Sequence, residues 1–260
     1  MSKLAGKVAV ITGGGSGIGA ATAKLFVDEG AHVLIVGRTQ EKLKLTVKEI
    51  DSDDVSYATA DVAKVEDTQR YLAEAVERYG GIDVVISNAG IEGPVKITSD
   101  HSVEDFDDVM ATNVRGVWLS YKFALPELQR RGGGSMVLTA SVAGVFGLPA
   151  MSAYVASKHA VIGLARTFAQ EAAGLNVRVN AVCPGMIDND MFDALMRKFA
   201  PVAGASEEEL TSIFEARVPF KRKGTSEEIA RLNLFLASDD SSYVTGAAYV
   251  ADGGVTAGIL

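Results

Sequence analysis

Apolar and polar positions repeat along this chain with two different periods. Short apolar runs rich in β-branched residues predict seven strands. They lie at residues 7–12, 31–36, 55–58, 82–87, 135–140, 176–182 and 247–251. The segments between them repeat apolar residues with the period of a helix, and the first of these helices closes at Gly30. Buried strands separated by helices are typical of an α/β fold, with a parallel sheet covered by helices on both faces.

The alternation of strands and helices is interrupted in one segment, at about residues 186–219. This segment is rich in Met, Phe and charged residues, and Ser206 with Glu209 forms the start signal of a short helix. We therefore expect an inserted helical flap there. The chain shows no internal repeat, low-complexity tract or linker, which favours a single domain over residues 1–260.

Composition and charge exclude several classes of protein. With 260 residues, 48% of them hydrophobic, the chain can bury a large core, so disorder is excluded. The formal net charge of -8 gives no overall attraction to nucleic acid or to anionic lipid. A single cysteine, Cys183, and three scattered histidines offer neither a disulfide nor a metal site. No apolar run reaches the length of a membrane span and no signal peptide is recognisable, so we expect a cytoplasmic protein without a membrane partner.

A glycine-rich segment follows the first predicted strand and opens the first helix. It reads Thr12-Gly13-Gly14-Gly15-Ser16-Gly17-Ile18-Gly19. Glycines let the backbone approach a pyrophosphate, and a helix N-terminus supplies N–H donors and the positive end of a dipole. The alternative is a turn that needs glycine only for tight packing of strand and helix. We expect a bound dinucleotide, held at Gly13, Gly15, Ser16, Gly17, Ile18 and Gly19.

The end of the second predicted strand bears on the choice of cofactor. An acidic residue that accepts hydrogen bonds from the adenosine ribose normally follows the glycines by about 20 residues. Here the strand ends in Val36-Gly37-Arg38-Thr39 instead. The Arg38 guanidinium can pair with a 2′-phosphate, with Thr39 and Lys42 as helpers, whereas an Asp would repel it. This favours NADP over NAD without deciding between them, since Arg38 can also be read as an ordinary solvated cation.

Tyr154 and Lys158 lie four residues apart on a segment with helical periodicity, so both side chains point from one face. An ammonium near a phenol favours the phenolate, which allows proton exchange close to neutral pH. Alone, such a pair is commonly structural. Ser141 favours a catalytic interpretation of the pair, because it comes just after the fifth strand, and ligands of open α/β sheets bind at the carboxyl ends of strands.

These motifs together resemble those of the short-chain dehydrogenase/reductase superfamily, and the resemblance covers nearly the whole chain. Residues 12–19 resemble the cofactor loop, Asp61-Val62 the pair that contacts the adenine, Asn88-Ala89-Gly90 the motif that ends the fourth strand, and Pro184-Gly185 the turn beside the nicotinamide. Asn113, Ser141, Tyr154 and Lys158 match the four catalytic residues of the family. The resemblance implies a three-layer Rossmann fold with strand order 3-2-1-4-5-6-7.

The resemblance also implies a reaction, namely reversible hydride transfer between a nicotinamide and a ketone or secondary alcohol. Tyr154 would be the general acid in reduction and the general base in oxidation, and Ser141 would hydrogen-bond the substrate oxygen. Lys158 would lower the pKa of Tyr154 and hold the nicotinamide ribose. Asn113 would fix a helix kink and a water that relays protons.

Members of the family form homotetramers or homodimers, so the resemblance implies one of these assemblies. The segments around residues 103–128 and 152–173 are apolar on more than one helical face, which fits contact with another subunit. Trp118 lies in the first of them, and we expect it in the core or at an interface.

One position departs from the family pattern. Asn189 stands where a Thr usually contacts the nicotinamide carboxamide, and an amide can make similar hydrogen bonds, so we expect Ile187 and Asn189 to bind the cofactor. Asp188 and Asp190 fit best as a helix cap and a solvated turn, with contact to a polar or cationic substrate group as the alternative.

The pocket walls inferred from family position are mostly apolar, which favours a medium-sized ketone or secondary alcohol. They comprise Ser141, Tyr154, Glu92, the segment from Val142 to Phe146, Met186 and Met191, together with Ile91, Pro94, Ile187 and Phe192. We expect Glu92 to face water, with selection of a hydroxyl-bearing substrate as the alternative.

Other functions stay open. Within the family, the chain can be a 3-oxoacyl-thioester reductase or a sugar or polyol dehydrogenase. A dinucleotide-sensing regulator without turnover is an alternative of a different class, but it would need no proton relay and hence no complete set of four catalytic residues. A sugar-nucleotide epimerase or dehydratase would normally need a larger substrate domain than the segment after Gly185 can form.

Overall fold

The computed structural model describes residues 2–258, and within them a seven-stranded sheet forms the centre of the protein. Its strands are β1 (Val8–Thr12), β2 (His32–Gly37), β3 (Val55–Thr59), β4 (Val84–Ser87), β5 (Gly134–Thr139), β6 (Val177–Pro184) and β7 (Ala248–Ala251). They run parallel in the order β3-β2-β1-β4-β5-β6-β7. The seven predicted strands and their order are confirmed, with strand ends that differ by one or two residues.

Helices connect the strands and cover both faces of the sheet. They are α1 (Gly17–Asp28), α2 (Gln40–Ile50), α3 (Val65–Tyr79), α4 (Val103–Met110), α5 (Gly116–Arg130), α6 (Ser152–Ala172), α7 (Asp190–Ala203), α8 (Glu207–Arg217) and α9 (Ser226–Ala237). Alternate strand residues point to opposite faces. Val10 and Leu34 therefore pack with α3, α5 and α6, whereas Ile11 and Ile35 pack with α1, α2 and α9.

The register of the strands brings their carboxyl ends to one edge of the sheet. Thr12 at the end of β1 pairs with Val36 of β2, and Ser87 at the end of β4 pairs with Leu138 of β5. From β1 the chain proceeds to one side of the sheet through β2 and β3, and to the other side from β4 onward. This reversal leaves a crevice outside the ends of β1 and β4, where ligands of such sheets bind.

Helices α7 and α8 occupy the segment where we predicted a helical flap. They form an apolar cluster of their own around Phe192, Met196 and Leu210. Helix α8 begins with the predicted capping box, in which the Ser206 hydroxyl accepts the Glu209 backbone N–H at 3.1 Å. The Glu209 carboxylate in turn accepts the Ser206 N–H at 2.9 Å. Reciprocal bonds of this kind fix where a helix starts.

Helix α4 runs into α5 through one π-helical turn, Ala111–Arg115, which buries Asn113. Trp118 follows on α5 but does not enter the core of the chain, because 43% of its surface is exposed. The Lys122 ammonium lies 5.1 Å from the centre of its ring. The core alternative for Trp118 is therefore wrong, while the interface alternative stays a prediction. Among residues 2–258, no helix combines the length and the apolar character that crossing a membrane requires.

Candidate active site

The glycine-rich loop connects β1 to α1 and lies at the crevice. Gly17 has a φ of 52°, in the left-handed region that favours glycine. A Cβ on Gly19 would lie 2.2 Å from the Gly13 carbonyl oxygen, so only glycine fits this close approach. Ser16 is the N-cap of α1, yet its side chain makes no capping hydrogen bond, and the first turn carries no acidic residue. A helix start with free N–H donors and no nearby carboxylate fits a pyrophosphate group.

Asn88 ties the loop to the neighbouring strands. Its Nδ2 donates to the Thr12 carbonyl oxygen at 3.1 Å, and its backbone N–H donates to the Thr12 hydroxyl at 3.0 Å. The Thr139 hydroxyl donates to the Asn88 Oδ1 at 3.3 Å. The ends of β1, β4 and β5 are thus held together by one side chain. Ala89 and Gly90 follow Asn88 along the wall of the crevice.

Tyr154 and Lys158 project from α6 toward the end of β5, where Ser141 lies. Lys158 is buried, and its Nζ donates to the Thr139 carbonyl oxygen at 2.9 Å. The same Nζ lies 5.5 Å from the centre of the Tyr154 ring. The Ser141 Oγ accepts the Ala143 backbone N–H at 3.1 Å, which orients the hydroxyl at the start of a short 3-10 turn.

Burial is the largest influence on the pKa values of Tyr154 and Lys158. It raises the pKa of Tyr154 to about 12, an effect that the charge of Glu92 increases and the neighbouring Ser141 hydroxyl opposes. It also lowers the pKa of Lys158 to about 8. The pKa of Tyr154 is thus raised overall, and the expectation that the Lys158 charge acts against this rise stays a prediction. The ammonium lies over the aromatic ring and donates to a carbonyl, and burial disfavours the phenolate more strongly.

Asn113 is buried on the π-helical turn and connects three parts of the site. Its Nδ2 donates to the Ile91 carbonyl oxygen at 2.8 Å and to the Ser157 hydroxyl at 3.0 Å. Its Oδ1 accepts the Ile91 N–H at 2.8 Å. A Cβ on Gly90 would lie 3.2 Å from that Oδ1 and 3.4 Å from the Lys158 Nζ. A larger residue at position 90 would therefore crowd both polar groups. The turn thus joins the loop after β4 to α6.

The other end of the crevice carries the residues expected at the adenosine. Arg38 follows β2 and is exposed, and none of the ion pairs within residues 2–258 involves it. Thr39 is the N-cap of α2. The Lys42 ammonium pairs with Asp190 at 3.3 Å, and a Cβ on Gly15 would lie 3.2 Å from its Cβ. Arg38 thus follows the strand that pairs with β1, and Lys42 lies beside the glycine-rich loop. Their contact with a 2′-phosphate stays a prediction.

Asp61 and Val62 occupy the turn after β3. The Asp61 Oδ1 accepts the Ala63 N–H at 3.0 Å, and the Asp61 N–H donates to Asp67 at 2.8 Å. Val62 is buried against the backbone of Gly116 at the start of α5. These contacts hold the turn in place at the side of the crevice beyond β1 and β2.

The segment after β6 closes the crevice from the flap side. Pro184 and Gly185 line the cavity, and a Cβ on Gly185 would lie 2.7 Å from the backbone of Asp252. Ile187 is buried and pairs with Gly224 in an isolated parallel bridge. Asn189 is the N-cap of α7, where its Oδ1 accepts two backbone N–H groups at 3.1 Å. Its Nδ2 is the group of this side chain that stays available to a ligand.

The acidic neighbours of Asn189 both form ion pairs. Asp188 pairs with Lys223, and Asp190 pairs with Lys42 across the crevice. The expected helix cap is provided by Asn189 rather than by either aspartate. Both carboxylates are exposed, in agreement with the expectation of a solvated turn.

A cavity of about 380 Å³ joins the glycine loop to the catalytic side chains and the flap. Seven residues predicted for the substrate pocket line it, namely Glu92, Ser141, Val142, Phe146, Tyr154, Met186 and Met191. Ile187 and Phe192 line it as well, whereas Ile91, Pro94, Ala143, Gly144 and Val145 do not. The sequence did not indicate Leu148, Met151, Leu195, Met196, Phe199, Phe214, Arg217 and Val255, which also line the cavity.

Glu92 does not face water as expected. Only 11% of its side chain is exposed, and its Oε2 pairs with the Lys198 ammonium of α7 at 3.3 Å. Lys198 also donates to the Gly93 carbonyl oxygen at 3.1 Å. The sequence could not show this burial, because the partner lies on the flap, 106 residues further along the chain.

Comparison with known proteins places this geometry in a family. A family model described as "Enoyl-(Acyl carrier protein) reductase" matches residues 13–256. The chain belongs to the short-chain dehydrogenase/reductase family. A short-chain dehydrogenase/reductase of Thermotoga maritima, named 3-oxoacyl-(acyl-carrier-protein) reductase, is 40% identical over 255 residues, which cover 97% of this chain and 99% of that protein.

Two solved structures of the short-chain dehydrogenase/reductase fold resemble the chain over nearly its full length. Levodione reductase has a TM-score of 0.94 at 36% identity and covers 98% of this chain and 100% of its own. A variant of actinorhodin polyketide ketoreductase, solved with NADPH, has a TM-score of 0.92 at 34% identity, with 96% and 97% covered. The protein is therefore an NAD(P)-dependent oxidoreductase that transfers hydride between a nicotinamide and a ketone or secondary alcohol.

Proposed function

We propose that the protein uses NADPH to reduce a medium-sized, largely apolar ketone, with Tyr154 as the proton donor. One observation carries the proposal: Ser141, Tyr154 and Lys158 line the same cavity as the glycine-rich loop. A substrate held against the first group is then beside a cofactor held by the second. The cavity walls contributed by Val142, Phe146 and the flap suit a substrate with little polar surface.

Tyr154 is in the protonation state that reduction requires. With a pKa raised to about 12, Tyr154 carries its proton at neutral pH and is ready to donate it to a carbonyl oxygen. When bound, NADPH supplies the hydride that reaches the carbonyl carbon. The Ser141 hydroxyl donates a hydrogen bond to the same oxygen and stabilises its developing charge. The proton of Tyr154 then completes the alcohol.

Lys158 has two roles in this scheme. Its pKa of about 8 lies close to neutral pH, so Lys158 can both release a proton and take one up at a small cost in free energy. It also lies over the Tyr154 ring, where its charge can stabilise the phenolate left after proton transfer. Asn113 holds the Ile91 backbone and α6 together, and we propose that it positions the water through which Lys158 regains its proton.

The preference for NADP over NAD rests on Arg38 and Lys42. Arg38 directly follows β2, where an acidic residue is expected for NAD, and Lys42 lies in the first turn of α2. The structure of actinorhodin polyketide ketoreductase with NADPH supports the same choice. Lys42 pairs with Asp190, and both side chains are exposed, so its ammonium can also reach a phosphate.

We also propose that the chain is a single domain, located in the cytoplasm and assembled as a homotetramer or homodimer. Val103, Phe106 and Trp118 are exposed on α4 and α5, where the sequence indicated contact with another subunit. Light scattering with size-exclusion chromatography tests the assembly. A monomeric mass at micromolar concentration would contradict it.

A 3-oxoacyl thioester is the second candidate substrate. Arg217 lines the cavity and is exposed, so its guanidinium can contact an anionic group of a thioester carrier. The relative from Thermotoga maritima is named for a substrate of this class. The test below therefore includes a short 3-oxoacyl thioester among the substrates.

The test begins with a titration of the purified protein by NADPH and NADH, followed by nicotinamide fluorescence. A panel of ketones and the thioester is then assayed with the cofactor that binds more tightly. We expect turnover by the wild-type protein and none by Tyr154→Phe, which should bind the cofactor normally because the phenyl ring is retained. Normal turnover by Tyr154→Phe would refute the proton transfer. Tight cofactor binding without turnover of any substrate would favour a dinucleotide sensor.

A further inference from the structure

Glu92 is an unusual member of the cavity wall, because one of its carboxylate oxygens is buried without a partner. Its Oε2 pairs with Lys198 at 3.3 Å, but no donor within residues 2–258 reaches Oε1. A few other buried polar atoms share this property, at Ser87, His101, Glu127 and Asn233. Among these described residues, Glu92 alone lines the cavity. A buried acceptor without a donor is destabilising. Because the Glu92 side chain lines the cavity, a rotation of its carboxylate can bring Oε1 to a donor on a ligand.

The charge of Glu92 indicates what kind of donor fits. Its carboxylate is already balanced by the Lys198 ammonium, so a second cation would meet a pair that is formally neutral. A neutral hydroxyl can donate to Oε1 without adding charge to an otherwise apolar cavity. The carboxylate also acts close to the catalytic phenol, since its charge contributes to raising the pKa of Tyr154. The hydroxyl and the reacting carbonyl therefore belong to one small molecule.

We propose that the Glu92 Oε1 accepts a hydrogen bond from a substrate hydroxyl, so that the protein prefers hydroxy ketones in reduction and diols in oxidation. The inference rests on the proposed function, because it names the substrate class of the same site. The hydroxyl takes no part in the redox step. Hydride and the Tyr154 proton add across the carbonyl, and the product is a diol.

The kinetic test compares cyclohexanone with its 2-, 3- and 4-hydroxy derivatives as substrates. For the best hydroxy isomer, we expect the wild-type kcat/KM to exceed that of cyclohexanone by about 10- to 100-fold, as for a hydrogen bond to a charged group. In Glu92→Met this ratio should fall to about 1, because an apolar side chain of similar length accepts no hydrogen bond. Glu92→Gln should lie between them, since a neutral amide is a weaker acceptor.

Two further variants separate substrate contact from a structural role of the ion pair. Lys198→Met breaks the pair but keeps the carboxylate, so the ratio should stay above that of Glu92→Met. Asp105→Asn is the matched control, because it also removes the carboxylate of a lysine ion pair. Asp105 pairs with Lys96, which lies on the same loop as Glu92, but Asp105 does not line the cavity. Its ratio should equal that of the wild type. An equal loss in Lys198→Met and Glu92→Met, or a wild-type ratio near 1 for all three isomers, would overturn the proposal.

A binding measurement separates this inference from the proposed function. In the presence of NADPH an alcohol cannot react, because the cofactor is already reduced, so affinity is measured without turnover. We expect the best cyclohexanediol isomer to bind the NADPH complex about tenfold more tightly than cyclohexanol in the wild type, and equally in Glu92→Met. Loss of this difference refutes the role of Glu92 even when ketones are reduced. A retained difference in a protein that reduces no ketone refutes the proposed function instead.

Discussion

Replacing Lys158 with Met should stabilise the fold while it abolishes turnover. Burial lowers the pKa of this ammonium from 10.5 to about 8. At about 1.4 kcal/mol per pKa unit, the folded protein loses about 3 kcal/mol at pH 7 by keeping the charge there. The hydrogen bond from Nζ to the Thr139 carbonyl oxygen recovers about 1 kcal/mol of this. We therefore expect Lys158→Met to raise the free energy of unfolding by about 2 kcal/mol at pH 7.

The gain should depend on pH with a definite sign. Between pH 8 and pH 10.5 the unfolded chain holds the lysine proton and the folded protein does not, so wild-type stability rises with pH in this window. The Met variant lacks the group, and its advantage should shrink by about 2 kcal/mol between pH 7 and pH 9.5.

Urea unfolding of both proteins at the two pH values measures the difference directly. Lys44→Met on α2 is the control, because Lys44 is exposed and its removal should produce no such pH-dependent gain. A variant that is less stable than the wild type by the same amount at both pH values would refute the reasoning. In that case the hydrogen bond to Thr139, and not the buried charge, would decide the stability of this site.

Three other substitutions test separate parts of the structure. Arg38→Asp should lower the ratio of kcat/KM with NADPH to that with NADH by about 100-fold, through loss of a charge-assisted pair and repulsion of the 2′-phosphate; an unchanged ratio would remove Arg38 from the phosphate site. Asp83→Ala should lower the free energy of unfolding by about 3 kcal/mol, since the buried carboxylate accepts two hydrogen bonds from Arg131; a loss below about 1 kcal/mol in urea unfolding would contradict this. Gly19→Ala should abolish NADPH binding, because its Cβ would lie 2.2 Å from a backbone oxygen, and fluorescence titration with normal affinity would show that the loop can relax.

Much of the site could be predicted because its residues follow strand ends. Ser141 comes directly after a run of apolar residues, and the glycine loop stands between a strand and a helix. In a parallel sheet the carboxyl ends of the strands lie at one edge, so a residue that directly follows a strand is placed at that edge. Tyr154 and Lys158 are four residues apart on a helix, which fixes their common face without knowledge of the rest of the fold.

Features that depend on distant parts of the chain could not be predicted. The Met and Phe content of residues 186–219 indicated a helical flap, but it did not show that Phe199 and Phe214 would line the substrate cavity. Glu92 was expected to face water, and its burial could not be predicted because its partner, Lys198, lies on the flap. The tyrosine pKa was predicted from a nearby charge, whereas the fold shows that burial is the larger effect. Burial is set by everything that surrounds a group and is not encoded in any short motif.

Among residues 2–258, the flap cluster around Phe192, Met196 and Leu210 shares no buried member with the two clusters that pack on the sheet. Substitutions in this cluster can therefore reshape the wall of the cavity while the sheet and the cofactor loop keep their packing. Selection for a new substrate can act on α7 and α8 without endangering the hydride-transfer machinery. In a directed-evolution library, these two helices are the place to diversify, and the strands are the place to leave unchanged.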